Sequence, residues 1–338
     1  MRGNSRAYSF RCLRTSAAAS IDRVSRGSSA VDERTDERLA AEAEQTSRIG
    51  SKGVVHQPEE DGPATSRVSV IRPASRWPHL DVPELWHYRE LLGTLVWRDI
   101  AVRYKQTFLG VAWSILVPVF TAAVYIIVFG KFADFPAGNT PYPSLVVAGV
   151  LPMQYFASAL TGSSMSLAVN LPLVTKVYFP RTLLPLAAVI VPMIDFVVGL
   201  PVLLFLIWKY DTWPSGMEVL LAPFFMGLAL ITALGLGFLL SAINVRYRDV
   251  RYMIPVFLQV LPLLSGVMYA VEEIPRKWQW ILSLNPMTTV IAGWRWAVLD
   301  ASAPDPGQTA VGIGVAFALF LIGLAVFRSS EPRFADTI

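Results

Sequence analysis

At 338 residues, 54% apolar and 16% charged, the chain carries well under the roughly 25% charge of ordinary soluble domains, and its mean hydropathy is positive. A net charge of +4, with the basic residues set beside apolar runs, points to a membrane surface and excludes a nucleic-acid stripe, so no nucleic-acid partner is expected. Cysteine occurs once, as Cys12, and the histidines are His56, His79 and His87, all ahead of the first long apolar run, which excludes a disulfide framework and a buried Cys/His metal site.

Residues 1–75 mix Ser, Arg, Ala, Glu and Gly without apolar periodicity. Such a segment buries too little surface to offset chain entropy, and the expectation is a disordered cytoplasmic tail. Residues 76–110 follow as an amphipathic interface helix. Its apolar positions Leu85, Tyr88, Leu91, Leu92, Leu95, Val96 and Val102 share one face, with Glu90, Thr94 and Arg98 opposite.

From Arg98 to Pro118 the chain reads R-D-I-A-V-R-Y-K-Q-T-F-L-G-V-A-W-S-I-L-V-P, a basic and aromatic stretch that feeds directly into an apolar run. Cations stay with head groups, rings suit the interface, and the apolar run enters hydrocarbon. A helix needs about 20 residues to cross a core about 30 Å thick. Six stretches qualify: 111–130, 144–165, 183–208, 218–243, 253–271 and 309–327. The transmembrane domain therefore extends over 111–338, with both termini on one side. Taking that side as the cytoplasm places more than twice as many lysines and arginines inside as outside, among them Arg89, Arg181, Arg246, Arg248 and Arg251.

Prolines 118, 152, 185, 192, 201, 223, 255 and 262 fall in or at the ends of the spans and predict kinked helices whose lost bonds neighbours re-satisfy. In the fourth span Ala229, Ala233, Gly237 and Ser241 recur every fourth residue, a packing stripe within the subunit or across a dimer. Between spans five and six, 277–284 and 287–299 are apolar, Trp-rich and too short to cross. Asn285-Pro286 between them reads as a helix cap followed by proline in the first turn, and the expected result is a re-entrant helical hairpin. The fold class is thus an all-α integral membrane protein of six transmembrane helices, with an amino-terminal interface helix and a re-entrant hairpin before the last span.

Asp195 sits mid-span, where a lone carboxylate marks either function or a buried partner. The expected partner is Arg295 of the hairpin. A proton relay is the rival reading, and the other spans offer it no companion acids or histidines. No Ser/His/Asp or Cys/His set assembles, and Glu59-Glu60 and Glu272-Glu273 lie where solvated charge is the default, so no catalytic residue is named.

Six motifs, in order, carry a resemblance: R-D-I-A-V-R-Y-K-Q-T-F-L-G-V-A-W, L-V-T-K-V-Y-F-P-R (173–181), N-V-R-Y-R-D-V-R-Y (244–252), L-N-P-M (284–287), G-W-R-W (293–296) and F-A-D-T-I (334–338). Over roughly 80–338 the chain resembles the membrane subunits of ABC-2 type polysaccharide exporters, which include O-antigen, teichoic-acid and capsule permeases. The resemblance implies a homodimer, each copy bound to a separate ABC ATPase subunit, moving a lipid-linked polysaccharide across the cytoplasmic membrane. ATP would be bound by that partner, and the absence of a G-x-x-x-x-G-K-[ST] loop here agrees. An ABC-2 drug or lipid exporter is the alternative; a proton-coupled carrier would show repeated halves and several intramembrane charges.

The resemblance also assigns roles. Lys176, Tyr178, Phe179, Pro180 and Arg181 become an ATPase-coupling loop, where an interfacial membrane anchor is the plainer reading. Arg98, Arg103 and Lys105 become a gate-helix site for a lipid phosphate, where positive-inside topology explains the same residues. Tyr125, Tyr155 and Tyr269 are expected to line a sugar conduit. Trp278, Trp280, Trp294 and Trp296 would form its exit gate, against the alternative of an aromatic belt.

Overall fold

The computed structural model describes residues 86–331, apart from 106–109, 111, 134, 136, 137, 139, 177, 178, 215 and 248, with backbone alone at 174–176. The expected tail 1–75 and the terminal F-A-D-T-I motif lie outside the described residues. Helix α1 (Arg89–Lys105) precedes α2 (Ala112–Tyr125), which runs on as a π-helical segment, Ile126–Phe132. Next come α3 (Tyr142–Val169), the short α4 (Leu171–Lys176), α5 (Leu183–Ile190) and α6 (Pro192–Tyr210). A 3₁₀ turn (Met217–Leu221) leads into α7 (Ala222–Arg246). Helices α8 (Val250–Leu264), α9 (Arg276–Ser283), α10 (Pro286–Leu299) and α11 (Pro306–Ser330) complete the order.

Among the described residues, five helical stretches are long and apolar enough to cross a bilayer: Ala112–Phe132, Tyr142–Val169, Leu183–Tyr210, Met217–Arg246 and Pro306–Ser330. Among the described residues no strand occurs. The third stretch is two helices in line, interrupted at Val191, because Pro192 has no N–H to offer the carbonyl of Ala188.

The fifth expected span is shorter than the apolar run implied. Helix α8 has 15 residues, about 22 Å of rise, and stops well before 271. Gly266 adopts a left-handed backbone (φ +71°), and the freed carbonyls are taken up by side chains. The Tyr269 hydroxyl donates to Leu263 O at 2.8 Å, Asn285 and the Thr288 hydroxyl donate to Leu264 O at 3.5 and 3.4 Å, and Asn285 also donates to Ser265 Oγ at 2.8 Å. The polar ends of a helix that stops inside an apolar protein thus find partners.

Helices α3 and α7 form the middle of the bundle, with α5, α10 and α11 packed on them. Small residues let them approach. The stripe Ala229, Ala233, Gly237 and Ser241 is fully buried within the chain, which assigns it to packing inside the subunit. Gly237 lies against Ser163 of α3. Gly323 of α11 rests on the backbone carbonyl of Gly235, so close that a side chain at 323 would run into it.

The cap read at Asn285 is present. Its side chain accepts from the Met287 N–H at 3.1 Å, and Pro286 opens α10. Helix α10 is buried along nearly its whole length, whereas α9 is largely exposed. Asp305 caps α11 in the same way, accepting from Gly307 and Gln308 N–H at 2.9 and 3.1 Å.

Candidate functional site

Helix α1 lays Leu91, Leu92, Leu95 and Val96 onto the core and packs on α5, while Trp97 and Val102 stay exposed. Val102, expected on the apolar face, is turned outward. The two arginines beyond that contact are each engaged. Arg98 Nη2 donates to Asn170 Oδ1 at 2.8 Å, at the carboxyl end of α3, and lies 2.8 Å from Asp99.

Five residues on, Arg103 reaches Asp195 of α6, with Nη2 2.7 Å from Oδ2. The other oxygen, Oδ1, accepts from the Tyr104 hydroxyl and from Ser114 Oγ at 2.5 Å. One half-buried carboxylate therefore gathers two residues of α1 and one of α2. Oδ2 accepts no aligned hydrogen bond, so its link to the guanidinium is an ion pair set by distance. Burial, reinforced by the bond to Asp195, raises the Tyr104 phenol above its ordinary pKa and keeps it a donor.

The carboxylate stands at a cavity of about 260 Å³ bounded by Arg103, Tyr104, Trp113, Ser114, Gln154, Tyr155 and Phe196. A second cavity of about 440 Å³ follows α1 past Arg98, Asn170 and Val102. Arg103, Ser158 and Pro192 border both, so the two are neighbours along one track. Arg103 stands where the two meet, Arg98 lines the second, and apolar side chains make up much of both walls, a lining that suits an amphipathic molecule with an anionic head.

The expected Asp195–Arg295 pair is not formed. Arg295 is buried and donates to four backbone carbonyls: Leu145 at 3.0 Å, Gly266 at 2.8 Å, Val267 at 2.7 Å and Tyr269 at 3.0 Å. A planar guanidinium with five donors is satisfied by such a cage, and Asp195 is left to α1.

The remaining expected residues are scattered. Tyr155 is buried, donates to Val189 O at 3.4 Å and meets Phe196 edge-on. Tyr125 and Tyr269 belong to one run of rings, Tyr125, Phe129, Phe135 and Tyr269, with centroids 6.1, 5.2 and 6.3 Å apart. Trp278 and Trp280 are exposed on α9, Trp296 is half-buried, and Trp294 is a core residue against Phe196. Phe179 is also buried, and Arg181 donates to Glu331 O at 2.6 Å, so both are engaged within the chain itself. Tyr178 lies outside the described residues, as does the side chain of Lys176, while Lys105 is exposed and Pro180 half-buried. Tyr104, Ser114 and Asn170 were not singled out from sequence. Tyr104 alone had a signal, its place in the basic and aromatic R-Y-K triplet.

The pattern of the ABC-2 type transporter family matches residues 90–299, from within α1 to the end of α10. The chain belongs to that family. As an ABC-2 transporter chain it is a multi-pass membrane protein, and the Asp195 cavity falls inside the matched region. It is 30% identical to the O-antigen export system permease protein RfbA of Myxococcus xanthus, over 76% of this chain and 98% of that protein. RfbA of Klebsiella pneumoniae is 28% identical over 74% and 95%. The polysialic acid transport protein KpsM of Escherichia coli is 23% identical over 69% and 91%.

Proposed function

We propose that this ABC-2 chain is the permease subunit of a transporter that exports a lipid-linked polysaccharide across the cytoplasmic membrane, driven by ATP hydrolysed on a separate subunit. The similarity to O-antigen export permeases over nearly their full length carries the reading. The track along α1, with Arg98 and Arg103 set among apolar walls, supports it by fitting a phosphate-headed lipid.

In this reading α8 and the turns after it supply a sixth crossing. Helix α1 lies in the cytoplasmic interface, α9 and α10 dip in from the outer face, and both termini are cytoplasmic. Two copies enclose the conduit, Tyr125, Tyr155 and Tyr269 offer rings to passing sugars, and Trp278 and Trp280 stand at the exit. Residues 176–181 meet the ATPase. Phe179 and Arg181, held inside the chain, stiffen that loop. Removing the gene should strand finished glycan on the inner leaflet with none at the surface; unchanged surface glycan contradicts the reading.

A further inference from the structure

Asp195 neutralises the cation that a lipid phosphate would seek, and the arrangement around it is unlike that of a plain structural ion pair. The Arg103 side chain is 41% exposed and borders both cavities, so an incoming anion reaches it without unpacking a helix. The Asp195 side chain is 19% exposed and carries two neutral donors besides the arginine, Tyr104 and Ser114. A carboxylate so supplied stays hydrogen-bonded when the guanidinium leaves, which lowers the cost of exchange. Arg98 is occupied in the same manner by Asp99 and Asn170, so neither arginine of the track presents an unopposed charge.

We propose that Asp195 is a specificity-determining counter-anion: it holds Arg103 until a lipid carrying a phosphate monoester or pyrophosphate displaces it. The inference rests on the permease reading above and adds a rule of selection. Any head group must compete with a carboxylate already in place. Zwitterionic bulk lipids, with one phosphodiester charge balanced by their own cation, are excluded. A head with two or more negative charges succeeds, and its arrival releases the end of α1 from α6.

The test uses the full chain in phosphatidylcholine nanodiscs, with radiolabelled polyprenyl phosphate and, separately, inorganic phosphate as probes. Asp195→Asn should bind polyprenyl phosphate about three- to tenfold more tightly than the parent, the size of effect a removed competing ion pair gives. Arg103→Gln should abolish binding. Tyr104→Phe should weaken it roughly two- to threefold, because a carboxylate with one donor fewer leans harder on Arg103. Opposite signs for Asp195→Asn and Tyr104→Phe are the signature, since a purely structural cluster would lose binding in both. Unchanged or weaker binding by a folded Asp195→Asn, with Arg103 still required, overturns this inference and leaves the permease reading intact. If polyprenyl phosphate fails to bind the parent at all, both fall. Equal binding of inorganic phosphate overturns the assignment to a lipid.

Discussion

Arg103 and Asp195 lie 92 positions apart in sequence and 2.7 Å apart in space, tying the amino-terminal helix to the third span. This contact joins an interfacial element to one that crosses the bilayer, so movement of either is felt by the other.

A double-mutant cycle on Arg103→Gln and Asp195→Asn should give a coupling of about 0.5–1.5 kcal/mol, modest because the arginine is well exposed. Apparent unfolding midpoints in detergent measure it, and additive single effects would show that the pair is incidental.

Arg295→Lys should cost far more. A lysine cannot span four carbonyls with three clustered donors, and the unpaired carbonyls are shut away from water. A loss of roughly 2–4 kcal/mol is expected, with poor recovery of monodisperse protein. Size-exclusion profiles indistinguishable from the parent's would argue against the cage.

Gly323→Val drives a side chain into the Gly235 carbonyl, so α11 must shift away from α7. Destabilisation of about 1–3 kcal/mol is expected, and Gly314→Val serves as the comparison because nothing lies near that position. Equal effects of the two substitutions would mean that the close crossing is absent.

Asn285→Ala removes the cap of α10 and the contact to Ser265 at the end of α8. About 1 kcal/mol for the cap alone, and more with the second bond, is the expected loss; Asn285→Asp should restore part of it. Hydrogen exchange at Met287 and Thr288 reads the cap directly.

Features set by neighbours in sequence were legible. Asn285-Pro286 is a local signal, and both the cap and the helix break appear where the dipeptide stands. The break at Pro192 and the small-residue stripe are likewise properties of short windows, although only packing showed that the stripe is buried within the subunit, with Gly237 against α3. The end of α8 had a local sign in Ser265-Gly266, a glycine just past the last helical residue, but hydropathy stays high across 253–271 and masks it, and nothing in the pattern marks the carbonyls waiting for Arg295. Partner choice was hidden too. Asp195 and Arg295 are both intramembrane charges, and hydropathy alone pairs them. The structure instead gives the arginine backbone oxygens and the carboxylate an interfacial arginine. Long-range pairing depends on helix placement, which a one-dimensional pattern does not contain.

In the reading proposed above, this chain is a passive membrane conduit for a lipid-linked glycan, worked by a partner's ATP hydrolysis. It is tested most directly by reconstituting the chain with its ATP-binding subunit in sealed vesicles and following a lectin-readable lipid-linked glycan. The account predicts that glycan reaches the far leaflet only when the partner and hydrolysable ATP are both present. Equal transfer by the chain alone, without nucleotide, would contradict it.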